Sequence, residues 1–118
     1  ANKPIDLFNY GNHQRDFTYI DDIIEGIVRV VDTPPTENYR LYNIGNSQPE
    51  PLLTFVETLE KHLGKTAVKH LLPMQAGDVQ DTYADMDDMK RDFNYRPKTS
   101  LDEGLEKFVH WYQTFYGV

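Results

Sequence analysis

The sequence predicts a fold of the α/β class, or α+β for the chain taken on its own, because short strand patterns alternate with helical patterns. Residues 4–10 alternate apolar and polar side chains, which is the period of a half-buried strand. Residues 101–115 instead carry apolar side chains at helical spacing, behind a capping box formed by Ser100 and Glu103. No repeat or low-complexity tract interrupts the 118 residues, so a single structural unit is expected.

The other predicted elements follow in order along the chain. Apolar periodicity and turn residues predict strands at residues 15–19, 40–44, 68–72 and 81–84, and helices at residues 22–32, 51–63 and 86–93. Asp21 or Asp22 is expected to cap the first of these helices, and Gly64 to end the second. Gly26 costs its helix about 1 kcal/mol relative to alanine, which predicts that another element packs closely against it.

The composition excludes several classes of partner. The formal net charge of −7 disfavours nucleic acid and anionic membrane surfaces, because both would repel an acidic protein. The chain has no cysteine, and its acidic residues lack the spacing of a calcium loop, so no metal site is expected. We expect a cytoplasmic protein, since neither a signal peptide nor a membrane-spanning stretch is recognisable. The chain begins in a strand pattern without a Met, as if it were cut from something longer.

Two polar positions are candidate binding residues. The guanidinium of Arg15 could hold a phosphate through two parallel hydrogen bonds, and the carboxylate of Asp78 could accept hydrogen bonds from sugar hydroxyls. The residues alone favour plainer alternatives: a surface arginine paired with Asp16 or another carboxylate, and a turn with a capping aspartate. His13, beside Arg15, is assigned no catalytic role.

The order of several motifs resembles a known family. The series is Arg15-Asp-Phe-Thr-Tyr-Ile-Asp-Asp22, Tyr42-Asn-Ile-Gly45, Gly77-Asp78, Tyr83-Ala-Asp85 and Pro97-Lys-Thr-Ser-Leu-Asp-Glu-Gly104. It resembles the C-terminal part of the extended short-chain dehydrogenase/reductases that act as NAD-dependent nucleotide-sugar epimerases. It is most similar to their UDP-glucuronate 4-epimerase branch, and the similarity covers essentially the whole chain.

The resemblance implies the C-terminal substrate-binding portion of such an enzyme, with the Rossmann half missing. The full-length parent would use NAD to epimerise C4 of UDP-glucuronate by transient oxidation. This chain has neither a Gly-rich dinucleotide loop nor a Tyr-x-x-x-Lys pair. It is therefore expected to bind no NAD, to contain no catalytic residue and to be inactive alone.

The resemblance also implies which residues bind the UDP-sugar. Arg15 would contact the diphosphate, and Asp78 would lie near the uridine ribose. Gln75 stands where many relatives carry an arginine, so it could offer only a neutral hydrogen bond.

Residues 1–118 would form one substrate-binding region, of which residues 21–45 would pack on the missing Rossmann domain. An apolar stripe on the first long helix would then be uncovered in the chain alone; it is made by Ile23, Ile24, Ile27, Val28 and Val31. Such a surface favours association, so we expect a homodimer or a higher assembly.

Two alternatives stay open. Nucleotide-sugar 4,6-dehydratases and decarboxylases share the Arg-Asp strand and the aromatic last helix, so the parent reaction could be one of theirs. A non-enzymatic binding module would have no catalytic parent at all. In each case the aromatic residues of the last helix are interpreted as core and its margin; they are Phe108, Trp111, Tyr112, Phe115 and Tyr116.

Overall fold

The computed structural model describes residues 3–118, so the first two residues of the predicted region lie outside it. Short strands and helices alternate along the chain. The elements are β1 (Ile5–Leu7), a 3-10 helix (Phe8–Gly11), β2 (Gln14–Arg15), α1 (Ile20–Asp32), β3 (Glu50–Pro51), α2 (Leu52–Leu63), β4 (Lys69–Leu71), α3 (Asp87–Phe93) and α4 (Leu101–Tyr116). The predicted mixed helix–strand class is confirmed.

The strands form two small sheets. Strand β1 pairs in parallel with β4, and β2 pairs antiparallel with β3, so that Arg15 lies opposite Glu50. On its other edge β2 is bridged to residues 80–82: Gln14 donates its N–H to the carbonyl of Gln80 (3.1 Å) and accepts from the N–H of Thr82 (3.1 Å). The backbone of β2 is therefore held on both sides.

Several predicted strands are shorter than expected. Residues 39–44 form no regular element, so the predicted strand at residues 40–44 is wrong for this chain. A strand needs a neighbouring backbone to accept its hydrogen bonds, and the structure records none beside these residues among residues 3–118. The first strand stops at Leu7 because Asn9 and Tyr10 take left-handed conformations, with φ of 50° and 55°.

Two predicted helix ends are confirmed. Ser100 caps α4 by accepting from the N–H of Glu103 at 3.2 Å, and Gly64 ends α2 with φ of 63°. The predicted cap of α1 is wrong, because the helix begins at Ile20 and Asp22 lies in its first turn. Asp22 is 2% exposed, and its carboxylate instead accepts from the backbone N–H groups of Lys98 and Thr99.

The most deeply buried side chains, those of Met86, Met89 and Tyr95, pack together beside α1. Gly26 allows this approach: a Cβ there would lie 3.2 Å from the Ile44 side chain, so the predicted close packing is confirmed. The hydroxyl of Tyr95 donates to the backbone carbonyl of Asp22, and burial raises the pKa of Tyr95 to about 12.

Two helices present apolar faces to solvent. The α1 face consists of Ile20, Ile24, Ile27, Val28 and Val31, whose side chains are 45–76% exposed. The aromatic residues of α4 are 40–68% exposed and stack mainly on one another, so the interpretation of these residues as core and its margin is wrong for this chain. The buried side of α4 is formed by smaller residues, Gly104, Leu105 and Val109. No helix within residues 3–118 is both long enough and apolar enough to cross a membrane.

The surroundings of two glycines predict different effects of the same substitution on stability. A Cβ on Gly45 would lie 2.5 Å from the Cβ of Ala84 and 3.0 Å from a carboxylate oxygen of Asp16. We expect Gly45→Ala to lower the free energy of unfolding of the protein that contains this chain by about 1–3 kcal/mol. In Gly26→Ala, the cost of the tight contact with Ile44 is offset by a gain of about 1 kcal/mol in helix propensity. The free energy of unfolding of this variant should therefore change less than that of Gly45→Ala. Urea denaturation of both variants measures the difference, and equal destabilisation would contradict it.

Candidate ligand-binding site

The guanidinium of Arg15 is fixed by the segment that follows β4. Its Nη1 donates to the carbonyls of Gln14 and Gln80, both at 2.8 Å. Its Nη2 donates to the carbonyl of Val79 at 2.8 Å and to Oδ1 of Asp78 at 3.2 Å. Three backbone carbonyls thus set the orientation of the guanidinium, and its side chain remains 24% exposed.

Asp78 is the acidic partner of this arginine. Its Oδ1 accepts from Nη2 of Arg15 and from the N–H of Val79 (2.9 Å), and its Oδ2 lies 3.3 Å from Nε2 of His13. The structure therefore brings together Arg15 and Asp78, which lie far apart in the sequence. The two residues singled out separately form one cluster.

Gln75 lies on the same turn as Asp78. The N–H of Asp78 donates to the carbonyl of Gln75 at 3.3 Å, and Gly77 takes a φ of 82°, a conformation that favours glycine. The side chain of Gln75 is exposed, and within the described residues no hydrogen bond joins it to Arg15. Gln75 thus stands at the solvent side of the cluster.

The part that His13 plays in this cluster is not evident from the sequence. Its imidazole is 4% exposed, with Nδ1 lying 3.0 Å from the carbonyl of Gln80 and Nε2 facing Asp78. Both partners are more than sixty residues away in sequence. No local pattern around Gly11-Asn-His-Gln could have identified them.

Asp16 has a supporting role that its sequence position did not indicate. Its carboxylate accepts from the backbone N–H groups of Ser47 (2.9 Å), Gln48 (3.3 Å) and Ala84 (3.0 Å). The plainer alternative for Arg15 is therefore wrong for Asp16 but confirmed for another carboxylate, because the recorded acidic partner of Arg15 is Asp78. Asp16 instead joins the loop after residue 44 to the segment near residue 84.

A polar cavity of about 430 Å³ opens beside Asp16. Most of its lining residues are polar, and the full set is Asp16, Thr18, Tyr42, Asn43, Ile44, Gly45, Thr82, Tyr83 and Ala84. The hydroxyl of Ser47 donates to that of Tyr83 (3.1 Å) at its margin. Hydroxyl, amide and carboxylate groups of this kind suit a ligand that is rich in hydroxyl groups.

The cluster is suited to binding rather than to bond cleavage. Arg15 carries a permanent positive charge, and the Asp78 carboxylate offsets part of it. Of the five guanidinium N–H groups, the Nε–H has no recorded acceptor within residues 3–118. A ligand anion could therefore approach a guanidinium that the backbone already orients.

Comparison with known proteins confirms the resemblance. The model of the NAD dependent epimerase/dehydratase family matches residues 1–45. Protein CapI of Staphylococcus aureus is 43% identical over 130 residues, which cover 97% of this chain and 39% of that protein. A probable UDP-glucuronate 4-epimerase of Rhizobium meliloti is 40% identical over 131 residues, which cover 97% of this chain and 38% of the relative.

A solved structure shares the fold as well. It is the UDP-glucuronic acid 4-epimerase of Bacillus cereus in complex with UDP-glucuronic acid and NAD. It matches with a TM-score of 0.88 at 35% identity, over 98% of this chain and 37% of that protein. Fold and sequence together define part of an extended short-chain dehydrogenase/reductase. The chain matches the model of the NAD dependent epimerase/dehydratase family over residues 1–45, and it spans less than two fifths of the length of these three relatives.

Proposed function

We propose that this chain is the C-terminal substrate-binding region of an NAD-dependent UDP-sugar 4-epimerase. The complete protein would interconvert the C4 epimers of UDP-glucuronate by transient oxidation. The observation that carries the proposal is the Arg15 guanidinium, which three backbone carbonyls hold beside Asp78. The similarity to UDP-glucuronate 4-epimerases supports the choice of sugar nucleotide.

Arg15 is proposed to bind the diphosphate. A guanidinium forms short, charge-assisted hydrogen bonds with phosphate oxygens. Its orientation is set by its backbone contacts, so little side-chain entropy remains to be lost when the anion binds. Asp78 now takes one of its N–H groups, and an incoming phosphate oxygen competes with this carboxylate.

Asp78 and Gln75 are proposed to complete the nucleotide end of the site. Once a phosphate oxygen replaces Asp78 on the guanidinium, the carboxylate is free to accept a hydrogen bond from a ribose hydroxyl. Gln75 is exposed on the same turn and can donate an uncharged N–H group to the ligand. The site then carries one permanent cation, Arg15, for a ligand with two diphosphate charges.

NAD does not fit the residues of this chain. Dinucleotide sites use a glycine-rich turn at a helix N-terminus, and the seven glycines here are too far apart to form one. We therefore propose that the cofactor and the catalytic groups belong to residues outside this chain. The chain alone is expected to be inactive.

Other reactions of the same family are the second candidate, because the matching model covers dehydratases as well as epimerases. A 4,6-dehydratase or a decarboxylase would use the same diphosphate contact with a different reaction at the sugar. A non-enzymatic binding module is the third candidate. The products of the complete protein distinguish the three.

Substitution of Arg15 tests the diphosphate contact. In the protein that contains this chain, we expect Arg15→Ala to raise the KM for UDP-glucuronate by about 10–100-fold, since a charge-assisted hydrogen bond contributes about 1.5–3 kcal/mol. Arg15→Lys keeps the charge and should recover only part of the loss. Arg96→Ala removes an exposed arginine elsewhere and serves as the control.

The same assay tests the reaction. UDP-galacturonate should form from UDP-glucuronate, as followed by chromatography or NMR. A keto-deoxy or decarboxylated product would instead favour the second candidate, and no turnover by the complete protein would favour the third. An unchanged KM in Arg15→Ala would contradict the role of Arg15.

We further propose that residues 21–45 pack on the nucleotide-binding region of the complete protein. The exposed α1 face and Leu41, which is 74% exposed, support this. A contiguous apolar surface of this kind is rare on a finished monomer. In the chain alone, the same surface would drive formation of a homodimer or a higher assembly.

Light scattering of the 118-residue chain tests this assembly. We expect a dimer or larger species, and a monomer when two glutamates are introduced on the α1 face by Ile24→Glu and Val28→Glu. The matched variant places the same charges at the same spacing on the exposed α4 aromatics, by Trp111→Glu and Phe115→Glu, and should stay associated. A monomeric wild-type chain, or a monomer produced only by the α4 variant, would contradict the proposal.

A further inference from the structure

The buried imidazole of His13 lies between two acceptors. Its Nδ1 is 3.0 Å from the carbonyl oxygen of Gln80, which can only accept, so Nδ1 carries a proton. Its Nε2 is 3.3 Å from Oδ2 of Asp78, within ion-pair range, although the direction is not that of a formed hydrogen bond. Whether Nε2 carries a proton therefore decides whether the contact between His13 and Asp78 is favourable.

The two states of Nε2 differ sharply. In the neutral ring, Nε2 is a lone pair that faces a carboxylate, and a buried polar atom is left without a partner. In the charged ring, Nε2 becomes a donor to Asp78, and the carboxylate lies between two cations, His13 and Arg15. A small rotation of either side chain would then complete the hydrogen bond.

We propose that His13 is a positioning residue that takes up a proton when a sugar-nucleotide diphosphate binds to Arg15. This inference rests on the proposed function. His13 is buried and acts through Asp78, so it does not touch the substrate. It supplies a second positive charge at a site where Gln75 offers none.

The coupling follows from the charge of Asp78. While His13 is neutral, the Asp78 carboxylate offsets the charge of Arg15 and repels an approaching diphosphate. When His13 is charged, it holds the carboxylate, and the Nη2–H group of Arg15 that Asp78 accepts becomes available to the anion. Linkage makes this reciprocal: protonation strengthens diphosphate binding, and diphosphate binding favours protonation.

The neighbouring charges agree with this assignment. The charged residues on the elements packed around His13 are Arg15 on β2, Glu50 on β3, and Asp78 and Asp81 on the segment after β4. Of these, Asp78 is the one recorded in contact with the ring. The carboxylate of Asp78 is therefore the charge that the ring faces, and it would pair with an imidazolium at Nε2.

Calorimetry of the protein that contains this chain, titrated with UDP-glucuronate between pH 5.5 and 8.5, tests the proposal. The diphosphate of this ligand is esterified at both ends and does not titrate in this pH range. Conversion of the ligand to its C4 epimer during the titration does not change this, because the epimer carries the same diphosphate. We expect affinity to fall about fivefold or more as pH rises through the histidine range. Titrations in buffers of different ionisation enthalpy should show uptake of up to one proton.

Three variants separate the contributions. His13→Gln keeps a donor toward Asp78 but cannot titrate, so its affinity should be nearly independent of pH. His13→Asn keeps only the contact with Gln80 and should bind several-fold more weakly than His13→Gln at low pH. His70→Gln is the control: His70 is an exposed histidine paired with Asp6 across β1 and β4, and its variant should keep the wild-type pH dependence.

Each outcome bears on a different claim. If the wild-type protein binds UDP-glucuronate with no proton uptake, or if His13→Gln keeps the wild-type slope, the role of His13 is overturned while the proposed function stands. If the wild-type protein does not bind UDP-glucuronate at any pH, both are overturned. The buffer comparison needs only wild-type protein, so an absence of proton uptake overturns the role of His13 even if a variant fails to fold.

Discussion

The contact between Arg15 and the segment at residues 78–80 is the interaction on which the site depends. Three carbonyls and one carboxylate accept four of the five N–H groups of a single guanidinium. This contact joins β2 to a loop more than sixty residues later. Because β2 is also paired with β3, the backbone that carries Arg15 is held in place by hydrogen bonds to a second strand. The carboxylate of Asp16 is held by the backbone in a similar way, because it accepts hydrogen bonds from three backbone N–H groups.

The same small chain combines a well-ordered polar site with incomplete apolar packing. Its most deeply buried side chains are few, and α1 and α4 both leave apolar faces in water. Such a balance suits a region that completes its core against other residues, because burying each exposed face contributes about 25 cal/mol per Å² of apolar area. The polar cluster does not need that burial, since its contacts lie within the described chain.

Local signals predicted local structure well. The capping box at Ser100 and the glycine at Gly64 each depend on nearby residues, and both are confirmed. The close approach at Gly26 is confirmed as well, but the sequence did not show that its neighbours would be Ile44 and Tyr95. Features that need distant partners were missed or misplaced. Within residues 3–118, the strand expected at residues 40–44 has no recorded strand to pair with. The cap expected at Asp22 became a buried acceptor for Lys98 and Thr99. For the candidate site, the sequence identified Arg15 and Asp78 separately but not their contact, nor the place of His13 between them.

A crystal structure of the protein that contains this chain, bound to NAD and UDP-glucuronate, would show directly whether Arg15 holds the diphosphate. We expect a diphosphate oxygen within about 3.2 Å of a guanidinium nitrogen of Arg15, with Asp78 turned toward His13 and the ribose. We also expect NAD to contact residues outside this chain, on the side where the α1 face lies. A diphosphate bound elsewhere, with Arg15 still donating to Asp78, would contradict this role of Arg15.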